Sequence, residues 1–195
     1  MMRLRYTAAP WAAPELTPEA AELAEILADD VWSESSVEFY AERDAKIRLG
    51  QRAPKGMQKT LNAVIDRKLT EAGWLGDSGY YVKGSTWVRI TFRHQMSIGS
   101  DFLDALKVCK KQGMELAIII AANRETLDVI TPNDAAALVS FEKLRSLALD
   151  LDGAMDIPLL IGELTPMTLA PSDIDAEIRK YRPRDTTVSS ESLPS

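Results

Sequence analysis

The segment that most constrains the fold is the uninterrupted apolar run "MELAIIIAA", which begins at Met114. Such a run is typical of a central β-strand that is covered on both faces, because a strand with one solvated face would alternate apolar and polar residues. A second run, "IPLLIGEL", begins at Ile157 and predicts another buried strand. Buried strands need helices on both sides of their sheet, so the sequence predicts an α/β fold with a mixed sheet.

Segments with helical spacing of apolar residues are expected to cover this sheet. The first, "EAAELAEILADDVW", follows the capping residue Thr17, and the second, "MQKTLNAVIDRKLTEAG", ends at Gly73. A third helix is predicted between Ser100 and Gly113, and a fourth in "NDAAALVSFEKLRSLALDL". The highly charged segment 33–55, with a helical centre, is expected to connect the first two helices. Cys109 shares an apolar face of the third helix and is expected to be a core residue.

Between the second and third helices the chain is predicted to form a β-hairpin. The segment "YYVK" turns through Gly84 and Ser85 into "TWVRITF". Alternate side chains of the second strand point to opposite faces. The core is expected to take one set, namely Thr86, Val88, Ile90 and Phe92. The other set consists of Trp87, Arg89, Thr91 and Arg93.

The length of 195 residues predicts one domain. We expect this domain to span residues 1–182, with a helical N-terminal part over about 1–56 and a core over about 57–165. The tail from residue 183 to 195 lacks apolar periodicity and is expected to be disordered. No apolar run approaches the roughly 18 residues that a membrane span requires, so a membrane protein is not expected.

Cysteine content and the first residues bear on location. A single cysteine excludes an internal disulfide and a thiolate metal cluster, which favours a cytoplasmic protein. The opening segment "MMRLRYTAAPWAAPELTPEAAE" lacks a continuous apolar core, so a cleaved signal peptide is not expected.

The charge distribution separates the hairpin from the rest of the chain. The net charge of -6 argues against a protein that coats nucleic acid non-specifically. Between Ser78 and Ser100, however, the only charged residues are Lys83, Arg89 and Arg93. A local basic patch of this kind is what a DNA-reading face needs, although any exposed strand face can show one.

The ordered set of segments resembles a known superfamily. The matching pieces are "TLNAVIDRKLTEAGW", "YVKGSTWVRITFRHQ", "DFLDALKVCKKQGMELAIIIAAN", "SFEKLRSL" and "DIPLLIGEL". In this order and at these separations they resemble the PD-(D/E)xK restriction endonucleases, and within them the BglII and BstYI type. The resemblance implies a mixed sheet core flanked by helices, magnesium-dependent DNA cleavage, and a homodimer that reads a palindrome.

The chain departs from the family at the catalytic motif. The family places Glu-x-Gln on the second hairpin strand and an Asp about nine residues earlier, and the matching positions here are Arg89, Thr91 and Tyr80. No Asp or Glu occurs between Ser78 and Ser100, so shifting the alignment restores nothing. A guanidinium cannot ligate a cation and repels magnesium. The resemblance therefore predicts a nuclease fold that has lost metal-dependent cleavage, with no metal or other cofactor.

Several roles stay open for such a protein. The residues Lys83, Trp87, Arg89, Thr91 and Arg93 are candidates for contact with DNA phosphates or with a protein partner. A solvated strand face without a role, on a protein that merely inherited the fold, is the third reading. The resemblance implies a possible homodimer and a setting in phage defence or counter-defence.

An active enzyme is the alternative. A relocated acid pair, Glu71 and Asp77, would then hold magnesium in a type II-like DNA endonuclease. The carboxylates of Asp66, Glu115 and Asp128 fit helix, strand-end or loop positions better than a metal site. His94 is the only histidine and has no carboxylate close to it in sequence.

Overall fold

A six-stranded mixed sheet forms the centre of the protein in the computed structural model, which describes residues 2–12, 14–77, 79–132 and 134–166. The strands are β1 (Met2–Ala8), β2 (Leu75–Asp77), β3 (Tyr80–Lys83), β4 (Thr86–Thr91), β5 (Leu116–Ala122) and β6 (Leu159–Pro166). The helices are α1 (Pro18–Ala28), α2 (Val31–Arg48), α3 (Gln58–Glu71), α4 (Ile98–Gln112), α5 (Arg124–Ile130) and α6 (Phe141–Asp150). The order of the strands in the sheet is β1-β6-β5-β4-β3-β2.

Strand β5 lies in the middle of the sheet and is buried along its whole length, as the apolar run predicts. It pairs in parallel with β4 and β6, whereas the remaining pairs are antiparallel. Ile118 and Ile120 pack in one core with α1, α2 and α3, while Ile119 packs in a second core with α4 and α6. The predicted α/β fold with helices flanking a mixed sheet is therefore confirmed.

Local sequence signals place the helix ends. Thr17 caps α1 by accepting a hydrogen bond from the backbone N–H of Ala20 at 3.2 Å. Gly113 ends α4 in the left-handed conformation with φ of 72°, which glycine adopts without steric cost. Cys109 is partly buried against the second core, and burial raises the pKa of its thiol to about 11. The expectation that Cys109 packs as a core residue agrees with this environment.

The N-terminal part, expected to be helical, also supplies edge strand β1. This strand pairs antiparallel with β6 over its full length, from Met2 opposite Pro166 to Ala8 opposite Leu160. The Tyr6 hydroxyl donates a hydrogen bond to the Ala20 carbonyl at 2.8 Å. The sequence did not indicate this strand, because its partner is more than 150 residues away along the chain.

Two further elements were not foreseen in their observed form. The expected connector contains the 18-residue helix α2, whose outer side joins α3 through ion pairs of Arg67 with Glu34 and Glu38. Helix α5 precedes Pro132, whereas the sequence predicted a single helix after it. The predicted disordered tail and the far end of the predicted domain lie outside the described residues. Within the described residues, no helix is both long and apolar enough to cross a membrane.

Candidate functional site

The β3–β4 hairpin carries the residues that match the family's catalytic positions. Its turn contains Gly84 with φ of 55°, and its register places Tyr80 directly opposite Arg89. Tyr80 and Arg89 are the positions that the resemblance assigns to the catalytic Asp and Glu. The structure therefore brings the two matching positions together across the hairpin, as the alignment implies.

Arg89 reaches from β4 toward the first turns of α4. Its Nε lies 3.5 Å from Asp101 Oδ1, and its Nη2 lies 3.4 Å from Asp104 Oδ2. The guanidinium carbon is 5.5 Å from the Tyr80 ring centroid and 5.9 Å from that of Trp87. With its side chain 14% exposed, Arg89 is enclosed between two carboxylates and two aromatic rings.

Asp101 is the centre of this cluster and is fully buried. Its Oδ1 accepts a hydrogen bond from Arg93 Nη1 at 3.2 Å in addition to the contact with Arg89. Burial raises the pKa of the Asp101 carboxyl above its ordinary value, although Arg89, Arg93 and Thr91 oppose that shift. A buried carboxylate is costly without cations beside it, so the two arginines stabilise Asp101 in its charged form. We call Arg89, Arg93, Asp101 and Asp104 the charge cluster.

The structure corrects part of the predicted binding face. Trp87 and Thr91 are fully buried, Trp87 in the second core with residues of α4 and α6, so neither side chain is available to DNA or to a protein partner. The same burial excludes a solvated strand face at these positions. Arg93, with 48% of its side chain exposed, reaches solvent. The ammonium of Lys83 bonds both oxygens of Glu22 and the carbonyl of Ala72, each at 2.7 Å.

The relocated acids do not lie with Arg89. Glu71 is exposed at the end of α3, which packs on the other face of the sheet from Arg89. A metal site that pairs Glu71 with Asp77 would therefore lie apart from Arg89, and it stays a prediction. The backbone of Asp77 pairs with Tyr80 in β2, and its side chain lies outside the described part. A metal site that uses Asp77 stays a prediction.

The other polar candidates have structural partners. Asp66 accepts a hydrogen bond from the Tyr81 hydroxyl, and Glu115 accepts one from Ser85. Asp128 pairs with Arg124 along α5. The Nδ1 of the exposed His94 accepts a hydrogen bond from the backbone N–H of Met96 at 3.3 Å.

The charge cluster does not fit magnesium. Magnesium needs several oxygen ligands, and here the two carboxylates already face two guanidiniums that repel a cation. Among the described residues, no group of three or more His, Cys, Asp or Glu side chains is arranged to hold a metal ion. The charge cluster therefore offers no place for a metal ion that would assist hydrolysis.

Sequence reasoning missed Asp101 and Asp104 as members of this site. Both lie in the first turns of α4, where acids complement the helix dipole, so the sequence offers a local reason for them that does not involve a site. Only the packing of α4 on β4 brings Asp101 to Arg89 and Arg93.

Solved structures of one restriction enzyme are similar to this chain. Restriction endonuclease BglII complexed with a DNA 16-mer matches with a TM-score of 0.51 and 15% sequence identity, over 84% of this chain and 78% of that one. Free BglII matches with a TM-score of 0.45 and 13% identity, over 83% and 78% of the two chains. No protein-family model matches the sequence, and no curated protein matches it significantly. The chain therefore has a restriction-endonuclease-like fold similar to that of BglII.

Proposed function

We propose that the protein binds double-stranded DNA and does not cleave it at the β3–β4 hairpin. The charge cluster is the observation that supports the absence of cleavage at the hairpin. A guanidinium stands where the resemblance expects a metal-binding Glu, and it is held by Asp101 and Asp104. A nuclease of this type needs a cation to polarise the phosphate and to activate water, and the cluster cannot hold one.

The fold supports the DNA-binding half, since BglII, which has a similar fold, was solved in a complex with DNA. Arg93 is the member of the predicted face that reaches solvent, and one of its guanidinium nitrogens pairs with Asp101. Its remaining donors are able to contact a phosphate. The two carboxylates balance the two guanidiniums of the cluster, so most of the charge needed for DNA must come from elsewhere on the surface.

The test combines cleavage and binding. Plasmid and linear DNA are incubated with the protein in Mg²⁺ or Mn²⁺, and a gel-shift series over salt is run beside them. We expect no cleavage and a binding constant that falls as salt rises, because phosphate contacts release counterions. The Arg93→Ala variant is expected to weaken binding more than Arg145→Ala, which removes an exposed arginine from α6.

Two outcomes would contradict the proposal. Metal-dependent cleavage that is lost in Glu71→Ala or Asp77→Ala would establish the relocated magnesium site and an active endonuclease. Absence of DNA binding at low salt would favour a protein-interaction subunit instead. The exposed apolar side chains of Met96 and Leu103, which are close in sequence to Arg93 and Asp104, are where we would then place the partner.

A homodimer and a role in phage defence or counter-defence follow from the resemblance alone and stay predictions. A cytoplasmic location, expected from the single cysteine, also stays a prediction.

A further inference from the structure

The segment from Ala45 to Ile65 is strongly basic in a chain whose net charge is -6. It contains no Asp or Glu. Its cations are Lys46, Arg48, Arg52, Lys55 and Lys59. The segment covers the end of α2, residues 49–57, here called the connector, and the start of α3, so the charge is concentrated around one junction between helices.

Four of these cations are exposed and form no ion pair within the described residues. Lys46 pairs with Glu42 at 2.6 Å, and Lys46 and, more weakly, Lys59 lower the pKa of that carboxyl. The other exposed members, here called the connector cations, are Arg48, Arg52, Lys55 and Lys59. None of the connector cations forms an ion pair with a residue that the structure describes.

The helix dipole does not explain this charge. A cation in the last turn of a helix stabilises it, which accounts for Arg48 at the end of α2. Arg52 and Lys55 lie beyond that end, and Lys59 lies in the first turn of α3, where a cation is unfavourable. These three exposed side chains are therefore free to contact an external anion.

The connector is fixed in place by close contacts. A Cβ atom on Gly56 would lie 2.3 Å from the Ile130 carbonyl oxygen, so only glycine permits this approach to the end of α5. Gln58 Nε2 donates to the Phe92 carbonyl at 3.1 Å, and Thr131 Oγ1 donates to Gln58 Oε1 at 3.3 Å. Cations on an ordered segment lose less conformational entropy when a ligand binds.

These contacts place the connector beside the hairpin. Gln58, at the start of α3, bonds the carbonyl of Phe92, and Phe92 immediately precedes Arg93. The connector is therefore held next to the exposed arginine of the charge cluster. Lys59, Asn62 and Thr131 line an open depression of about 400 Å³ between the start of α3 and the end of α5. Ammonium, amide and hydroxyl groups are the side-chain donors that commonly contact DNA phosphates.

From this arrangement we infer that the connector cations bind the phosphate backbone of duplex DNA. The inference rests on the proposed DNA-binding function. It assigns the main electrostatic contact with DNA to the connector cations, away from the β4 face. Ile47 and Leu49 are also exposed here, and apolar side chains beside cations are suited to binding an anionic lipid surface. The amides that line the depression and the similarity of the fold to DNA-bound BglII favour DNA.

The test compares two variants of equal net charge. The connector variant carries Arg48→Gln, Arg52→Gln, Lys55→Gln and Lys59→Gln. The matched control carries Lys107→Gln, Lys110→Gln, Lys111→Gln and Arg145→Gln, which removes four exposed cations from α4 and α6. Binding to a duplex of about 30 base pairs is measured over about 50 to 200 mM salt, and circular dichroism with urea unfolding checks that both variants fold.

We expect the connector variant to lose four phosphate contacts. The slope of log K against log salt should then become less negative by about 3.6, and at low salt the affinity should fall at least about tenfold. The matched control should change the slope by less than about 1. These results together would support the inference.

Other outcomes overturn it in distinguishable ways. If wild type binds DNA and both variants weaken binding equally, net charge is responsible and only the connector assignment fails. If wild type binds DNA and the connector variant matches it, the contact lies elsewhere and the proposed function stands. If wild type fails to bind DNA, the proposed function fails as well. Binding instead to phosphatidylserine vesicles, lost in the connector variant, would assign the surface to lipid.

Discussion

Removal of the Asp101 carboxylate tests whether the charge cluster holds α4 against the sheet. Asp101 is fully buried and contacts the guanidiniums of Arg89 and Arg93. In Asp101→Ala, the largely buried Arg89 keeps a single carboxylate partner, Asp104 at 3.4 Å, while Arg93 turns to solvent. Breaking a buried pair costs about 3 to 5 kcal/mol, and because Asp104 remains we expect about 3 kcal/mol. For a chain of this length that loss lowers the Tm by about 6 to 12 °C.

Urea unfolding followed by tryptophan fluorescence measures this loss, since the ring of Trp87 lies 5.9 Å from the Arg89 guanidinium carbon. Asp104→Ala is the matched control, because its side chain is 45% exposed and an exposed pair is worth about 1 kcal/mol or less. The double variant Arg89→Leu with Asp101→Leu should lie within about 1 kcal/mol of wild type, since it removes both charges together. Equal free-energy losses in Asp101→Ala and Asp104→Ala would refute the reasoning.

Three further predictions concern the same half of the protein. Burial raises the pKa of Cys109 to about 11, so at about pH 8 the native thiol should react with iodoacetamide about a hundredfold more slowly than in urea; equal rates would contradict this. The double variant Arg89→Glu with Thr91→Gln places a third carboxylate in the charge cluster. With a Kd of about 1 mM for Mn²⁺, about 10 mM Mn²⁺ should raise the Tm of this variant by about 3 to 6 °C and leave the Tm of wild type unchanged. An unresponsive variant would count against the alignment. Lys83→Ala should leave the DNA affinity within about twofold of wild type, because the ammonium already bonds Glu22 and the Ala72 carbonyl. A large loss of affinity in a gel-shift assay would show instead that Lys83 contacts DNA.

The sheet and most of its covering helices were predictable because their signals are local. The apolar run of β5, the turn at Gly84 and the cap at Thr17 each depend on a few adjacent residues. Strand β1 was not predicted, since it forms only by pairing with β6. Helix α2 was underestimated because its apolar residues form no continuous stripe, and only the first and middle turns contribute buried side chains.

The candidate site shows the same division. Alternation along β4 correctly placed Trp87, Arg89, Thr91 and Arg93 on one face, but it does not reveal what covers that face. Both Trp87 and Thr91 are fully buried, Trp87 in the second core with residues of α4 and α6, which removes them as contacts for a partner. The burial of one strand face depends on elements elsewhere in the chain, so periodicity alone cannot decide it.

By itself, the sequence determined that this chain builds an α/β sheet and that its hairpin lacks the acids of a metal site. Both properties are set by residue type and short-range order. The tertiary structure alone decided that Arg89 is held by Asp101 and Asp104, and that the exposed cations lie on the ordered connector beside Phe92. Charges that are distant along the chain act on each other only after folding brings them within a few ångströms, since water and salt screen them otherwise.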